Sequence, residues 1–291
     1  MTDQEMAAAL EGTGEYRVLR RIFGTPISEI EGPHIGVALD VETTGLDHAK
    51  DEVIEIAAIP FAFDAEGRII GVGEPFQSLR QPSRPIPSEI IAITGIDDAM
   101  VAGHLVDANA LSALVGRAVI IIAHHAGFDR PFAERLCPEF EEKCWACSMS
   151  EIDWRAEGLE SSRLSSLLME AGWFYDRHRA LADVGALVHL LSLELPRSRK
   201  LALAALLEAA RQPTWRIWAE GAPFATKDTL KARGYRWSDG SSGRRKSWYF
   251  DASPERRDDE IAFLRQSIFH RRVDLPVDRL TAYTRFREAE A

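Results

Sequence analysis

Three short, mostly apolar runs stand out in the first half of the chain. Residues 35–39 (Ile-Gly-Val-Ala-Leu), 53–59 (Val-Ile-Glu-Ile-Ala-Ala-Ile) and 118–123 (Ala-Val-Ile-Ile-Ile-Ala) are too short for buried helices and rich in β-branched side chains. Such runs predict buried strands. Residues 68–79 read as a further strand, and Asp64 and Gly67 supply the turn of an antiparallel hairpin with the second run. Residues 81–87, with three prolines, form a stiff connection that cannot be helix interior. From Ser88 the apolar period turns helical. Helices are expected over residues 88–94, 107–115, 127–137 (with Pro131 in the first turn), 163–171 and 179–195, with a strand over 145–149. In the last helix Leu181, Val184, Leu187, Val188, Leu190 and Leu191 make one apolar stripe.

Strands first, then alternating helix and strand, predict an α/β domain over residues 34–195: a mixed sheet flanked by helices. Residues 1–33 are a lead-in, a short helix and a polar stretch broken by Gly24, Pro26, Gly32 and Pro33. A helical linker over 196–212 ends at Pro213. Beyond it the composition shifts, with four of the seven tryptophans (Trp215, Trp218, Trp237, Trp248) between residues 213 and 250. Residues 213–291 read as a small α+β domain with a charged tail. Its expected elements are a strand at 214–218, a helix at 227–233, and a hairpin of 235–237 with 247–250 across the turn 238–243. Residues 253–291 are expected to be charged and helical.

The 291-residue chain is 46% hydrophobic and 27% charged, as a soluble globular protein is. No apolar run approaches the ~18–20 residues that span a bilayer, and the N-terminus lacks the pattern of a secretory signal. Three cysteines (Cys137, Cys144, Cys147) argue against a disulfide framework and for a reducing, cytoplasmic setting. Cys144-Trp-Ala-Cys147 has metal-knuckle spacing, but a zinc site needs two more ligands and no second close pair is nearby; the segment reads as a buried strand. The net charge of −10 would disfavour nucleic acid, yet it is uneven. Residues 213–291 hold 16 Lys+Arg against 12 Asp+Glu, and residues 1–212 hold 19 against 33. Acidity in the first part would be offset by bound cations, and the basic second part suits phosphate.

Asp40 and Glu42 end the first strand two residues apart, so they share a face. Paired carboxylates repel and resist desolvation; a divalent cation reverses both costs, and magnesium favours such oxygen ligands. Asp129 follows the strand at 118–123, and Asp183 interrupts the apolar stripe of the last helix. Any one of these acids alone would read as a solvated surface group, and His178 alone as a surface histidine. His124, His125 and His189 read as structural.

The segments Leu39-Asp-Val-Glu-Thr-Thr-Gly-Leu46, Ala123-His-His-Ala-Gly-Phe-Asp129 and His178-Arg-Ala-Leu-Ala-Asp183 resemble the three motifs of the DEDD exonuclease superfamily. The histidine five residues before the last aspartate marks its histidine-containing branch. That branch includes the proofreading epsilon subunit of bacterial DNA polymerase III and several RNA exonucleases. Residues 76–87 followed by Ile93-Thr-Gly-Ile-Asp97 are similar to the family's connecting segment. The resemblance covers residues 34–193. It implies a ribonuclease H-like fold and 3′→5′ hydrolysis of DNA with two divalent ions, Mg²⁺ or Mn²⁺. In it Asp40, Glu42, Asp129 and Asp183 hold metal, and His178 is the general base. Thr43, Leu46, Ile96 and Phe128 fall at or beside positions that meet the terminal nucleotide; for Leu46, core packing is the competing reading. The implied partners are single-stranded 3′ ends and a DNA polymerase or other repair protein, with no membrane. An RNA exonuclease of the same branch and a non-catalytic binding protein stay open. His125 stands where the family has asparagine.

Residues 223–237 and 246–249 resemble a short basic-aromatic module attached to DNA-processing proteins. Cations that track phosphates beside rings that stack on bases would bind single strands, with Arg233, Arg236, Arg244, Arg245 and Lys246 as the contacts. The competing reading makes the tryptophans the core of a small domain, with the basic residues outside.

Overall fold

A computed structural model describes residues 1–23, 27–240 and 245–287; Gly24, Pro26 and Arg244 lie outside the described residues. The chain divides into two units, Met1–Leu207 and Glu208–Ala291.

The first unit is built on a six-stranded mixed sheet. Its strands are β1 (His34–Thr43), β2 (Val53–Phe63), β3 (Ile69–Val72), β4 (Phe76–Leu79), β5 (Ile120–Ala123) and β6 (Cys144–Cys147). The order is β3-β2-β1-β5-β6, with β4 also on β2. β1 runs antiparallel to β2 and parallel to β5, and β5 is parallel to β6. The longer helices that accompany it are α1 (Asp3–Gly12), α2 (Ser88–Thr94), α3 (Ala108–Gly116), α4 (Ala126–Leu136), α5 (Leu164–Glu170) and α6 (Ala180–Ser192). This is the expected mixed sheet flanked by helices, the ribonuclease H-like arrangement.

Every residue of β2 is buried, Glu55 included. Gly36 on β1 sits opposite Phe61, and any Cβ there would meet the phenyl ring at 2.5 Å. The apolar stripe of α6 packs on β1 and β2, burying Val184, Leu187, Val188, Leu190 and Leu191. At about 1.5–3 kcal/mol per fully buried side chain, that stripe fixes the helix on the sheet.

Three expectations change. The strand expected over 68–79 is two strands, because Gly73 and Pro75 interrupt it and proline cannot donate to a ladder. Pro131 lies at the sixth residue of α4, a turn deeper than expected. The strand expected at 145–149 is β6, one residue earlier, and a short helix follows at Ser148–Glu151.

α7 (Ala202–Arg211) leads into the second unit, a four-stranded antiparallel sheet with two helices. Its elements are β7 (Thr214–Ala219), α8 (Lys227–Ala232), β8 (Arg236–Ser238), β9 (Ser247–Ala252), α9 (Arg257–Phe263) and β10 (Val277–Leu280). The sheet order is β8-β9-β7-β10. Ile217, Ala219, Leu230, Tyr235, Ala252, Leu264 and Ile268 form its core. The tail expected to be helical holds α9 and a helical turn at Leu264–Ile268, but it also contributes the strand β10. Val277 and Leu280 pair with Ile217 and Thr214, which gives β7 its second neighbour.

Candidate active site

β1 and β5 are parallel, so both end at the same edge of the sheet. That edge gathers the acidic residues. Asp40 and Glu42 lie on one side of β1, while their neighbours Val41 and Thr43 are buried. α4 starts three residues after β5 and carries Asp129 in its first turn. Asp129 is 1% exposed. Its Oδ1 accepts from the Val41 backbone N–H at 3.3 Å, and its Oδ2 is buried with no hydrogen-bond partner. α6 brings Asp183 to the same place: ligand oxygens of Asp40, Glu42 and Asp183 all lie within 4.8 Å of one another.

Burial raises the pKa of each of these acids. It raises Asp40 well above the ordinary carboxyl range, with the charges of Asp129, Asp183, Glu42 and Glu55 adding to the effect. Burial, then Asp183 and Glu55, push Glu42 up to about 7. Burial takes Asp129 to about 8. Asp183 is raised by burial too, against the hydrogen bonds it accepts. Oxygen donors of Asp40, Glu42 and Asp183 at this spacing, with the orphaned buried oxygen of Asp129 on an acid whose charge acts on Asp40, fit hard divalent cations.

His178 occupies a backbone strained for a side-chain-bearing residue, φ 66°. Two anchors hold it. Asp183 Oδ2 accepts from the His178 N–H at 2.8 Å and the Arg179 N–H at 3.3 Å. Glu55 then clasps Arg179: Nη2 donates to Oε1 at 2.9 Å, Nε donates to Oε2 at 3.2 Å, and the Ala180 N–H donates to Oε2 at 2.9 Å. Gln77 Nε2 donates to Glu55 Oε1 at 2.7 Å. The His178 side chain itself is exposed and its imidazole makes no hydrogen bond among the described residues. Tyr175 Oη donates to Asp183 Oδ1 at 2.7 Å.

Glu55, Arg179, Gln77 and Tyr175 were not singled out by the sequence. Glu55 looked like one polar residue in an apolar strand; only the register, which sets it opposite Glu42, gives it meaning. A charged residue inside a strand buried throughout was the available signal. Arg179→Met leaves a fully buried carboxylate with fewer donors, so we expect a loss of about 3 kcal/mol of unfolding free energy in a urea titration. A loss below about 0.5 kcal/mol would show the clasp to be dispensable.

The nucleotide-facing expectations separate. Leu46 is 82% exposed, which removes the core-packing reading. The loop that presents it is tight: Asp51 Oδ2 accepts from the Asp47 N–H at 2.8 Å, and a Cβ on Gly45 would lie 2.5 Å from that oxygen. Phe128 is half-buried between His125, stacked at 5.9 Å, and Phe132 at 5.1 Å. Thr43 is buried and its hydroxyl donates to the Gly45 carbonyl at 2.6 Å. Ile96 is fully buried among Ile54, Ile86 and Val101; it is core and does not line a pocket. His124 is bonded at both nitrogens, to Ser148 Oγ and the Ser162 carbonyl, and burial lowers it to about 4, as a neutral structural histidine requires. In the second unit Arg233 is paired with Glu260, Arg236 with Asp251 and Arg245 with Glu220, while Lys246 is exposed.

A family model described as Exonuclease matches residues 37–191. The DNA polymerase III PolC-type protein of Thermotoga petrophila is 27% identical over 187 residues, covering 59% of this chain and 13% of that protein. The DNA polymerase III subunit epsilon-like protein of Rhodobacter capsulatus is 40% identical over 107 residues, covering 34% of this chain and 14% of that protein. The chain thus spans only about an eighth of the length of these relatives. In fold it is similar to E. coli Exonuclease I in complex with a dA16 oligonucleotide, at a TM-score of 0.50 and 16% identity, covering 79% of this chain and 68% of that one.

Proposed function

The chain belongs to the exonuclease family matched over residues 37–191, and from that premise we propose that it removes nucleoside 5′-monophosphates from the 3′ ends of DNA strands in the cytoplasm. The observation that carries the reading is the meeting of Asp40, Glu42 and Asp183 oxygens within 4.8 Å, beside the orphaned oxygen of Asp129. Asp40 would hold both of two ions, Mg²⁺ or Mn²⁺, with Glu42 and Asp183 on the first and Asp129 on the second. Such a pair, when bound, supplies charge for the attacking and leaving oxygens of an in-line displacement.

His178 takes the proton of the attacking water. Its exposed imidazole is free to meet that water, while Asp183 and the Glu55–Arg179 clasp fix its backbone. Asp183 therefore has two tasks: Oδ2 orients His178, and the carboxylate also offers an oxygen to the acidic cluster. Tyr175 holds that carboxylate in place. The exposed Leu46 side chain packs against the terminal base, and Phe128 lines the strand's path with His125. The leaving oxygen becomes the 3′-hydroxyl of the shortened strand. Free strand ends suffice as substrate; a DNA polymerase or other repair protein would deliver them.

With Mg²⁺ or Mn²⁺, a 5′-labelled single strand is expected to shorten one nucleotide at a time, and EDTA to stop it. A 3′-labelled strand should lose its label in the first step, which fixes the direction. Matched DNA and RNA strands run in parallel decide the sugar. If neither strand shortens, the activity is wrong.

A further inference from the structure

The second unit carries rings and cations that the acidic site does not use. Trp237 on the edge strand β8 and Trp248 on β9 are direct partners across the ladder, with ring centroids 5.4 Å apart. Trp248 is partly buried against the core, but Trp237 is 50% exposed. Lys231 Nζ lies 6.0 Å from the Trp248 ring. One turn earlier on α8, Lys227 Nζ sits 4.8 Å from the ring of Phe224, which is 82% exposed. These five side chains make a continuous row, Phe224–Lys227–Lys231–Trp248–Trp237. The core explanation accounts for Trp248 but not for Phe224, which lies largely in water, or for Trp237, which is half exposed. A single exposed ring needs no explanation, but exposed rings grouped with cations, as Phe224 is with Lys227 and the Trp237–Trp248 pair with Lys231, suit an interaction surface.

The cations in the row are available. Lys227 and Lys231 make no ion pair among the described residues. Arg233, Arg236 and Arg245 instead spend their charge on Glu260, Asp251 and Glu220. Residues 213–250 hold eight Lys+Arg against three Asp+Glu. A partner that answers both features must be a polyanion with exposed flat faces. Duplex nucleic acid hides its base faces, whereas a single strand offers phosphates to lysine and unpaired bases to tryptophan and phenylalanine.

We infer that Phe224, Lys227, Lys231, Trp248 and Trp237 form a second binding surface for single-stranded nucleic acid, apart from the acidic cluster. The inference deepens the reading that the first unit acts on strand ends, and rests on it for the substrate class. The two tasks divide: the acidic site acts on the terminal nucleotide, and the row holds bases and phosphates of the same polymer.

The test uses the full chain and two readouts. Binding of a fluorescent 30-nucleotide oligodeoxythymidylate is followed by anisotropy in EDTA, where nothing is cut. Hydrolysis of a labelled five-nucleotide strand is followed separately with Mn²⁺. Trp237→Ala is expected to weaken binding about tenfold, the size of one lost base stack, with Trp237→Phe recovering most of it. Lys227→Gln with Lys231→Gln is expected to reduce the slope of log affinity against log salt by about 1.4. Short-strand hydrolysis should be unchanged in both. Trp237 and Lys231 are exposed and Lys227 partly so, and matching melting temperatures would show the variants folded. Wild-type affinity and salt slope in both variants would overturn the inference and assign the row to a protein partner. Row-dependent binding without any hydrolysis would keep this surface and remove the proposed activity; hydrolysis with row-independent binding would do the reverse.

Discussion

Asp40→Asn is expected to cut nucleotide release by at least about a thousandfold and, at pH 8, to make the metal-free protein more stable. The two effects have one cause. Asp40 faces the charges of Asp129, Asp183, Glu42 and Glu55 from a buried position. Asparagine keeps the shape and removes one charge, relieving the repulsion while removing the oxygen proposed to serve both ions. The gain should be about 1–3 kcal/mol at pH 8 and smaller at lower pH, because the raised pKa of Asp40 favours its neutral form as pH falls. Turnover assays and thermal melts in EDTA read the two halves. A variant that loses activity and stability together would make Asp40 a structural residue; one that keeps activity would remove it from the site.

The second large effect is on stability against pH. Glu42 titrates at about 7 and Asp129 at about 8 in the folded chain, against ordinary values near 4. A carboxyl whose folded pKa is raised binds more protons folded than unfolded. It therefore favours the folded state at low pH, and this contribution fades as pH rises through the window from about 4 to about 8. In EDTA the melting temperature should fall between pH 6 and pH 9, by an amount corresponding to about 3 kcal/mol. For a chain of this size that is roughly 6–12 °C. Mn²⁺ should restore most of it at pH 9 and much less at pH 6, with protons released on binding. A melting temperature that stays flat in EDTA, or equal metal protection at both pH values, would contradict the assigned burial of these acids.

Much of this was legible before the fold. The apolar runs at 35–39, 53–59 and 118–123 are local signals, and each became a central strand. Asp40, Glu42 and Asp129 follow such runs and Asp183 interrupts the apolar stripe of the last helix, while His178 is legible only through the resemblance of its segment to the family motif. What escaped depends on register and long-range pairing. Glu55 matters because β2 sets it opposite Glu42 and within reach of Arg179, 124 residues later in the chain. Arg233 and Arg236 read as free cations until Glu260 and Asp251, 27 and 15 residues on, claim them. β10 alternates Val277-Asp-Arg-Leu280 and looks like solvated tail; its partner β7 lies some 60 residues earlier. Ile96 sits in a segment shared with the family, yet only three-dimensional packing shows it to be core.

The late arrival of β10 sets an order on synthesis. The sheet of the first unit is complete once Cys147 has been made, and its last acid once Asp183 has, so the acidic site can assemble while the ribosome is still translating. β7 is made soon after but keeps one bare ladder edge until Leu280 emerges. Between Ala219 and Ser247 the nascent chain exposes β7 with both edges unpaired, and until Val277 with one, while the first unit is already able to fold. Slowing translation within that interval should lower soluble yield more than slowing it before Thr214.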